Sequence, residues 1–413
     1  LTDINSVKAA EANVARPRWF SKAVLGFGLA SLLSDAGHEA GTAALPALLV
    51  SLGALPAALG LIEGVADGVV AFAKLYGGSL ANRMAWRKPI AVLGYLITGL
   101  SIGLFGVASS WVHILLARSL GWLARGLRGP ARSAMLADAV PKSVLGRAVG
   151  FHRAMDTVGA TLGPAIATVL LTWVPLRALF GYAMVPGVLA AVVFALLVKA
   201  PPVTRKETPP PLLKSLRLLP ASFRRFLLAV LAFGIGDFAR TLLILRAAQL
   251  LTPEYGATRA AAIGMMLFVV HNLAAAACAY PAGRLADSVS PQRLLAIGYG
   301  LGVVTAVLAA LAPPSLPFLV VLFVVAGLVI GIEETLESVV TGLQVESAQR
   351  GSAYGALAAT NGVGDMISSS VVGLLWTWQG PALAFGFAAV ASLVGTLLLL
   401  VSAKERAEAA PAA

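Results

Sequence analysis

The sequence predicts an all-α integral membrane protein: twelve transmembrane helices in two pseudo-symmetric six-helix bundles. Three observations carry this. First, 58% of the 413 residues are hydrophobic and only 12% are charged, where a soluble chain carries about 25% charged residues. Second, the charges fall in short bursts between apolar stretches, each long enough for the roughly 20 residues that a bilayer crossing needs. Third, the chain repeats its own pattern at an offset of 205 residues. Gly78, Leu80, Ala81 and Asn82 recur as Gly283, Leu285, Ala286 and Asp287, and Gly150 and Gly159 recur as Gly355 and Gly364. Duplicated bundles of this kind build a site near the bilayer midplane.

In chain order, the first half has spans at 21–45, 56–80, 90–108, 111–128, 146–172 and 177–199. The second half has spans at 226–246, 260–281, 293–312, 316–335, 351–376 and 382–402. This division agrees with the repeat and predicts bundles at 1–200 and 226–413 with a linker at 201–225. Between Pro201 and Phe226 lie six prolines and six basic residues. The prolines stop the sixth helix, and the charges hold the segment at the membrane face. Leu212–Leu219 is expected to form a short amphipathic helix on that surface. Within the spans, the abundant glycines and alanines let helix backbones approach closely.

The net charge of +12 reflects topology rather than a nucleic-acid partner. With segments assigned alternately inside and outside, starting inside, 24 of the 31 Lys and Arg residues lie inside. Only Arg177, Arg246 and Arg259 lie outside, and Lys74, Arg118, Arg153 and Arg240 lie within spans. The positive-inside rule then puts both termini in the cytoplasm, as in a multi-pass protein of a bacterial-type inner (cytoplasmic) membrane. Leu1–Phe20 is polar and precedes a span too long for a signal-peptide core, so no cleaved leader is expected there.

Several other functions are disfavoured. No P-loop is present, which argues against an ATP-driven pump. The glycine-rich run Gly298–Gly302 lies inside an apolar span without the strand–helix context of a nucleotide site. His38-Glu39 is followed by Thr42 where a zinc-protease helix needs its second histidine. The lone Cys278 builds no disulfide framework. No nucleophile–base constellation points to an enzyme, and no large extramembrane segment points to a sensor or scaffold.

The loop after the second span reads Gly78-Ser79-Leu80-Ala81-Asn82-Arg83, then Arg87-Lys88. It resembles the loop signature of the major facilitator superfamily, G-x-L-A-D-R followed by a basic cluster. Asn82 replaces the usual Asp, and the spacing to Arg87 is one residue looser. The second copy keeps the acid as Asp287 but has Ser288 in place of Arg. In the fifth span, Gly150, Gly159, Gly163-Pro164 and Ala167 resemble the G-x8-G-x3-G-P-x2-G motif of the superfamily's drug/proton antiporter-like exporter branch, with Ala167 for the last Gly. The resemblance implies the major facilitator fold, alternating access and export. It also implies a cytoplasmic latch between the bundles, involving Gly78, Asn82, Arg83 and Asp287. Physically, the glycines lower the profile of one helix, while Pro164 bends it and frees a backbone carbonyl. Such a helix suits a bendable interface between the halves.

Charges within spans are costly unless paired or hydrated, so they mark the candidate site. The first span carries Asp35, His38 and Glu39, and the second Glu63 and Asp67, each set on one helical face. Arg118 lies in the fourth span, and His152, Arg153 and Asp156 lie in the fifth. The seventh span carries Asp237 and Arg240, the eighth His271 and Asn272, and the eleventh Asn361 and Asp365. Acids predominate in this set, so the cavity is expected to attract cations and protons. Crowded, desolvated carboxylates can exchange protons near neutral pH, and one that takes either a proton or a cation provides antiport. Asp67 maps onto Asn272 and Asp156 onto Asn361 at the repeat offset, so proton coupling is expected in the first half. Arg118, which maps onto Phe323, is similar to the buried arginine of the family's fourth-helix motif (here Arg118-Ser119-Leu120-Gly121), which the family links to proton coupling. Arg128 and Arg132 map onto Glu333 and Glu337; these opposite charges are expected to pair across the halves as a cytoplasmic gate.

The expected function is proton-coupled export of small cationic or amphipathic organic compounds by a monomer that meets only its substrate and the lipid bilayer. No cofactor is expected, the proton serving as coupling ion. The alternative is transport of a divalent ion of the iron, manganese or nickel type, with Asp35, His38, Glu39, Glu63 and Asp67 as ligands.

Overall fold

The computed structural model describes residues 20–83, 87–141, 145–199, 219–286, 288–345 and 350–409. Among the described residues every regular element is a helix. The first half contains α1 (Lys22–Ser51), α2 (Pro56–Arg83), α3 (Arg87–Gly106), α4 (Trp111–Asp138), α5 (Leu145–Leu170) and α6 (Leu176–Leu197). The second contains α7 (Ala221–Gly234), α8 (Arg240–Tyr255), α9 (Ala257–Leu285), α10 (Pro291–Leu311), α11 (Leu316–Gln344), α12 (Arg350–Gln379) and α13 (Pro381–Ala409). The expected surface helix at 212–219 lies outside the described residues apart from Leu219.

Eleven of the twelve expected spans are single helices, and the seventh is not. It breaks at residues 235–239 into α7 and α8. Glycines on either side of Ile235 allow the break and fix its position. Gly234 packs against Gly364 of α12, and a Cβ on Gly236 would run into the Ala388 carbonyl and Ser392 of α13. The amide of Ala239, which starts α8, donates to Ser369 Oγ of α12 at 3.0 Å. A backbone group released by the break thus finds a partner in a neighbouring helix, as hydrocarbon surroundings require. Elsewhere, hairpins are tight: Gly256 and Gly380 join their flanking helices as single residues at φ 75° and 89°, values that favour glycine.

Within the first half, α1 packs on α5 and α6, and α4 packs on α2 and α3. In the second half, α9 packs on α11, while α10 and α7 pack on α13. The halves meet chiefly where α2 crosses α12, with smaller contacts of α5 with α9 and α1 with α8. The main crossing is backbone on backbone. A Cβ on Gly60 would strike the Ser369 carbonyl and the Cα of Gly373, and one on Gly64 would strike Met366 and Ser370. At the crossing's outer limit, the Ala57 amide donates to Thr377 Oγ1 at 2.8 Å.

The apolar core shows how the halves are arranged. At the end where α1 finishes, one continuous cluster includes Leu45, Leu48 and Phe180 together with Leu242, Phe268 and Trp376. At the opposite end, where α1 begins, the core is divided. Phe27, Tyr95 and Phe194 form a first-half cluster, whereas Phe223, Phe226 and Leu336 belong to a second-half cluster. The halves are therefore fused at the far end and parted at the near end.

Among the described residues, seven helical segments are long and apolar enough to cross a membrane on length and composition alone. They lie in α2, α3, α6, α9, α10, α11 and α13. The remaining helices include α1, α4 and α12, which carry much of the buried charge described below.

The crossing is testable. Gly60→Leu forces a side chain into the α12 backbone, and overpacking of this kind costs about 1–3 kcal/mol. Its thermal unfolding midpoint in detergent is expected to fall. Gly181→Ala, whose added Cβ meets open space, is expected to leave the midpoint unchanged.

Candidate functional site

Arg118, Arg125, Arg128 and Arg132 follow one another on α4 at spacings of 7, 3 and 4 residues, which places them along one helical face. Arg118 is almost fully buried and donates Nε and Nη2 to Glu63 Oε2 of α2 at 3.0 and 2.6 Å. Its Nη1 donates to Thr42 Oγ1 of α1 at 3.2 Å. Arg125 Nη2 lies 3.2 Å from Asp35 Oδ1. The Trp122 ring sits between these two guanidinium groups, 5.2 and 5.1 Å from them. His38 lies against the same ring, with 4.5 Å between centroids.

The next two arginines have only neutral hydrogen-bond partners. Arg128 donates to Ser34 Oγ at 3.1 Å and lies 4.0 Å over the Tyr95 ring. Arg132 donates to Ser31 Oγ at 2.9 Å. Ser31 in turn pairs with His152 Nε2 at 3.0 Å, and His152 Nδ1 lies 3.4 Å from Asp156. The resulting chain ties α4, α1 and α5 together.

The second half has the opposite charge. Asp237, in the break between α7 and α8, pairs with Arg240 at 3.1 Å. Beside them, within the second half, lies a small pocket of about 20 Å³ lined by Phe233, Asp237, Arg240, Thr305, Val329 and Ser392. On α11, Glu337 is buried and accepts from Tyr299 Oη and from Asn361 Nδ2 of α12, each at 2.6 Å. Tyr299 is fixed by face-to-face stacking on Phe233, with centroids 3.7 Å apart. Glu333, one turn earlier, is buried with Oε2 unpartnered. It interacts electrostatically with Asp237, Glu337, Asp365 and Arg240.

These positions revise several expectations. Arg128 and Arg132 do not pair with Glu333 and Glu337: the near end is parted, so each group turns into its own half. Asp35 and Glu63 are engaged by arginines, while Glu39 has His38 alone within ion-pair distance among the described residues, at 3.9 Å. Among the described residues no three His, Cys, Asp or Glu side chains are grouped to hold a metal ion, so the divalent-ion ligand set is not assembled. The sequence points to the first half for proton coupling, yet Glu333 and Asp365, two of the carboxylates without a hydrogen bond or ion pair among the described residues, lie in the second. For the loop latch, the surroundings of Gly78, the side chains of Asn82 and Arg83, and all of Asp287 lie outside the described residues.

The glycine–proline motif of α5 also serves a different contact from the one expected. Gly159 and Gly163 face the α1 backbone at Leu32 and Ala36, inside the first half, and a Cβ at Gly150 would meet open space. It is the carbonyl freed by Pro164 that reaches the other half. Pro164 has no N–H to offer the residue four positions earlier, Ala160. The Ala160 carbonyl instead accepts Asn272 Nδ2 of α9 at 2.8 Å, while Asn272 Oδ1 pairs with His271 Nδ1 at 3.0 Å.

The sequence reading missed Arg125, Trp122, Tyr95 and Tyr299. The signal for Arg125 was present: its 7-residue spacing from Arg118 continues the buried face of α4. Counting it with the basic loop concealed that. The two tyrosines carry no comparable sequence signal.

Two outcomes follow. Arg118→Ala leaves Glu63 as an uncompensated buried charge and is expected to destabilise the fold by about 3–5 kcal/mol, read as loss of folded protein on thermal unfolding. Asn272→Ala is expected to cost about 1 kcal/mol. That cost should shrink in a Pro164→Ala background, where Ala160 regains a backbone donor, as a double-mutant cycle would show.

Comparison with known proteins agrees with this architecture. Residues 27–247 and 228–413 each match the family model of the Major Facilitator Superfamily. An uncharacterized MFS-type transporter of Methanocaldococcus jannaschii is 28% identical over 405 residues, covering 95% of this chain and 99% of the relative. The quinolone resistance protein NorA of Staphylococcus aureus is 26% identical over 198 residues, 47% of this chain and 50% of that protein. Among solved structures, the nucleoside transporter NupG shares the fold at a TM-score of 0.75 and 15% identity, covering 92% of this chain and 99% of that one. The chain, with its broken seventh span and opposed charges on α4 and α11, thus belongs to the Major Facilitator Superfamily, a family of membrane transporters rather than enzymes.

Proposed function

We propose that this transporter is a proton-coupled exporter of small cationic or amphipathic organic compounds, working as a monomer by alternating access. The observation that carries this reading is a set of membrane-embedded carboxylates without fixed partners. Asp67, Glu333 and Asp365 make no hydrogen bond or ion pair among the described residues. Asp67 and Asp365 nevertheless interact electrostatically with one another and with Arg240, across the boundary between the halves. Such carboxylates hold a proton or a cation in turn, which is the exchange that antiport requires. A relative named for quinolone resistance favours export.

On the positive-inside reading the parted end faces the cytoplasm, so this conformation is open inward. Export then needs the α2–α12 crossing to loosen at the far end while the near end closes. Closure brings the α4 arginines toward the α11 glutamates, so the gate expected from the sequence belongs to the opposite state. The two halves, residues 1–200 and 226–413, move against each other about the crossing, with 201–225 as the linker.

Proton flux in proteoliposomes under an imposed pH gradient tests the proposal. Organic cations are expected to drive proton movement in the unmodified protein. Asp365→Asn and Glu333→Gln are expected to abolish that coupling while leaving downhill substrate movement, and Asp35→Asn is expected to retain it. Substrate transport without any proton movement in the unmodified protein would refute the mechanism.

A further inference from the structure

The two halves carry opposite buried charge, positive along α4 of the first and negative around Asp237, α11 and α12 of the second, and neither wall of charge neutralises itself. On α4 four guanidinium groups are served by two carboxylates within ion-pair distance, Glu63 and Asp35. Arg128 and Arg132 are left with hydroxyl groups and an aromatic ring. Buried atoms without partners mark this wall: Arg125 Nη1, Arg128 Nε and Arg132 Nε. On the other wall Glu333, Asp237 and Asp365 share Arg240, Glu337 is held by Tyr299 and Asn361, and Glu333 Oε2 is buried without a partner. The Arg125 side chain keeps 27% of its surface exposed, so it remains accessible.

Residues of α2 interact electrostatically with both walls. Lys74 interacts electrostatically with Arg125 on one side and with Glu334 and Asp365 on the other. Asp67 does the same with Arg118 and with Arg240. A molecule bearing only a positive charge would be drawn to the second half and repelled by α4. A molecule bearing only a negative charge would meet the reverse. Such repulsion is screened less beside protein than in bulk water.

We propose that the substrate is an amphipathic organic zwitterion, bound between the halves with its anionic group at Arg125 and the arginines behind it and its cationic group at Glu333 and Asp365. This inference rests on the exporter reading and narrows its substrate. Substrate charge then does what a salt bridge across the halves would do: it satisfies both walls together and draws them closer.

The test uses matched sets of compounds on several aromatic scaffolds. Each set contains an amino acid-type zwitterion, its methyl ester (a cation) and its deaminated acid (an anion). Binding to the full chain in nanodiscs is measured by tryptophan fluorescence, and proton movement is measured in proteoliposomes. Zwitterions are expected to bind at least about tenfold more tightly than either partner of their set, the gain of one charge-assisted contact. Arg125→Gln is expected to bring the zwitterion down to the level of its ester, and Glu333→Gln down to that of the acid. A variant that merely misfolds would lose all three ligands together, and circular dichroism and thermal unfolding identify it. Esters that bind as tightly as zwitterions overturn the inference, as does the absence of zwitterion binding on every scaffold. The two readings separate cleanly. Zwitterion-selective binding without proton movement supports this inference and refutes the proton-coupled exporter. Proton movement driven by esters alone does the reverse.

Discussion

The structure depends on the crossing of α2 and α12, where Gly60 and Gly373 bring two helix backbones into direct contact. Lipid offers no hydrophobic drive for helices to associate, so close packing of small residues supplies it. That contact determines the rest of the arrangement. It fuses the apolar core at the far end, and the core is divided at the near end, where the buried charge of α4 and α11 lies. A pivot made of backbone and glycine can tilt without tearing side chains from their pockets. The Asn272–Ala160 bond adds a second, directional contact between the halves, made possible by a proline.

Charge is distributed according to the same logic. A charged group within a membrane must be paired, hydrogen-bonded or hydrated. Arg118 and Glu63 meet the first condition and act as an internal fastener of the first half. Arg128 and Arg132 meet it only in part, through hydroxyls and the Tyr95 ring. Glu337 meets the second through Tyr299 and Asn361, while Glu333 and Asp365 have neither an ion pair nor a hydrogen bond among the described residues. The two halves derive from one repeat, yet position for position Arg128 answers Glu333 and Arg132 answers Glu337. Equivalent places in the two halves thus carry opposite charge.

Much of the fold was legible in the sequence because a bilayer imposes a length on each span and a repeat shows itself in spacing. The positions of the buried charges were legible for the same reason. Their partners were not. Arg118 and Glu63 are 55 residues apart, and only packing reveals that they meet. The break at 235–239 escaped notice because its apolar residues read like the helices around it; the cue lay in Gly234 and Gly236 next to Asp237. Pro164 was correctly read as freeing a carbonyl, but the receiver, Asn272 on a helix of the other half, could be found only in three dimensions. Gly159 and Gly163 of that motif, in turn, serve α1 rather than the second half.

The central claim is that the halves rock about the α2–α12 crossing, opening one end as the other closes. Paired spin-label distances test it most directly, in a Cys278→Ala background. One pair, Ala137→Cys with Ser338→Cys, reports on the near end, and Ser51→Cys with Glu254→Cys reports on the far end. These four positions are exposed. On shifting the pH through the transport range, the near-end distance is expected to shorten as the far-end distance lengthens, with one midpoint. Independent changes at the two ends, or fixed distances under conditions that support transport, would contradict the account.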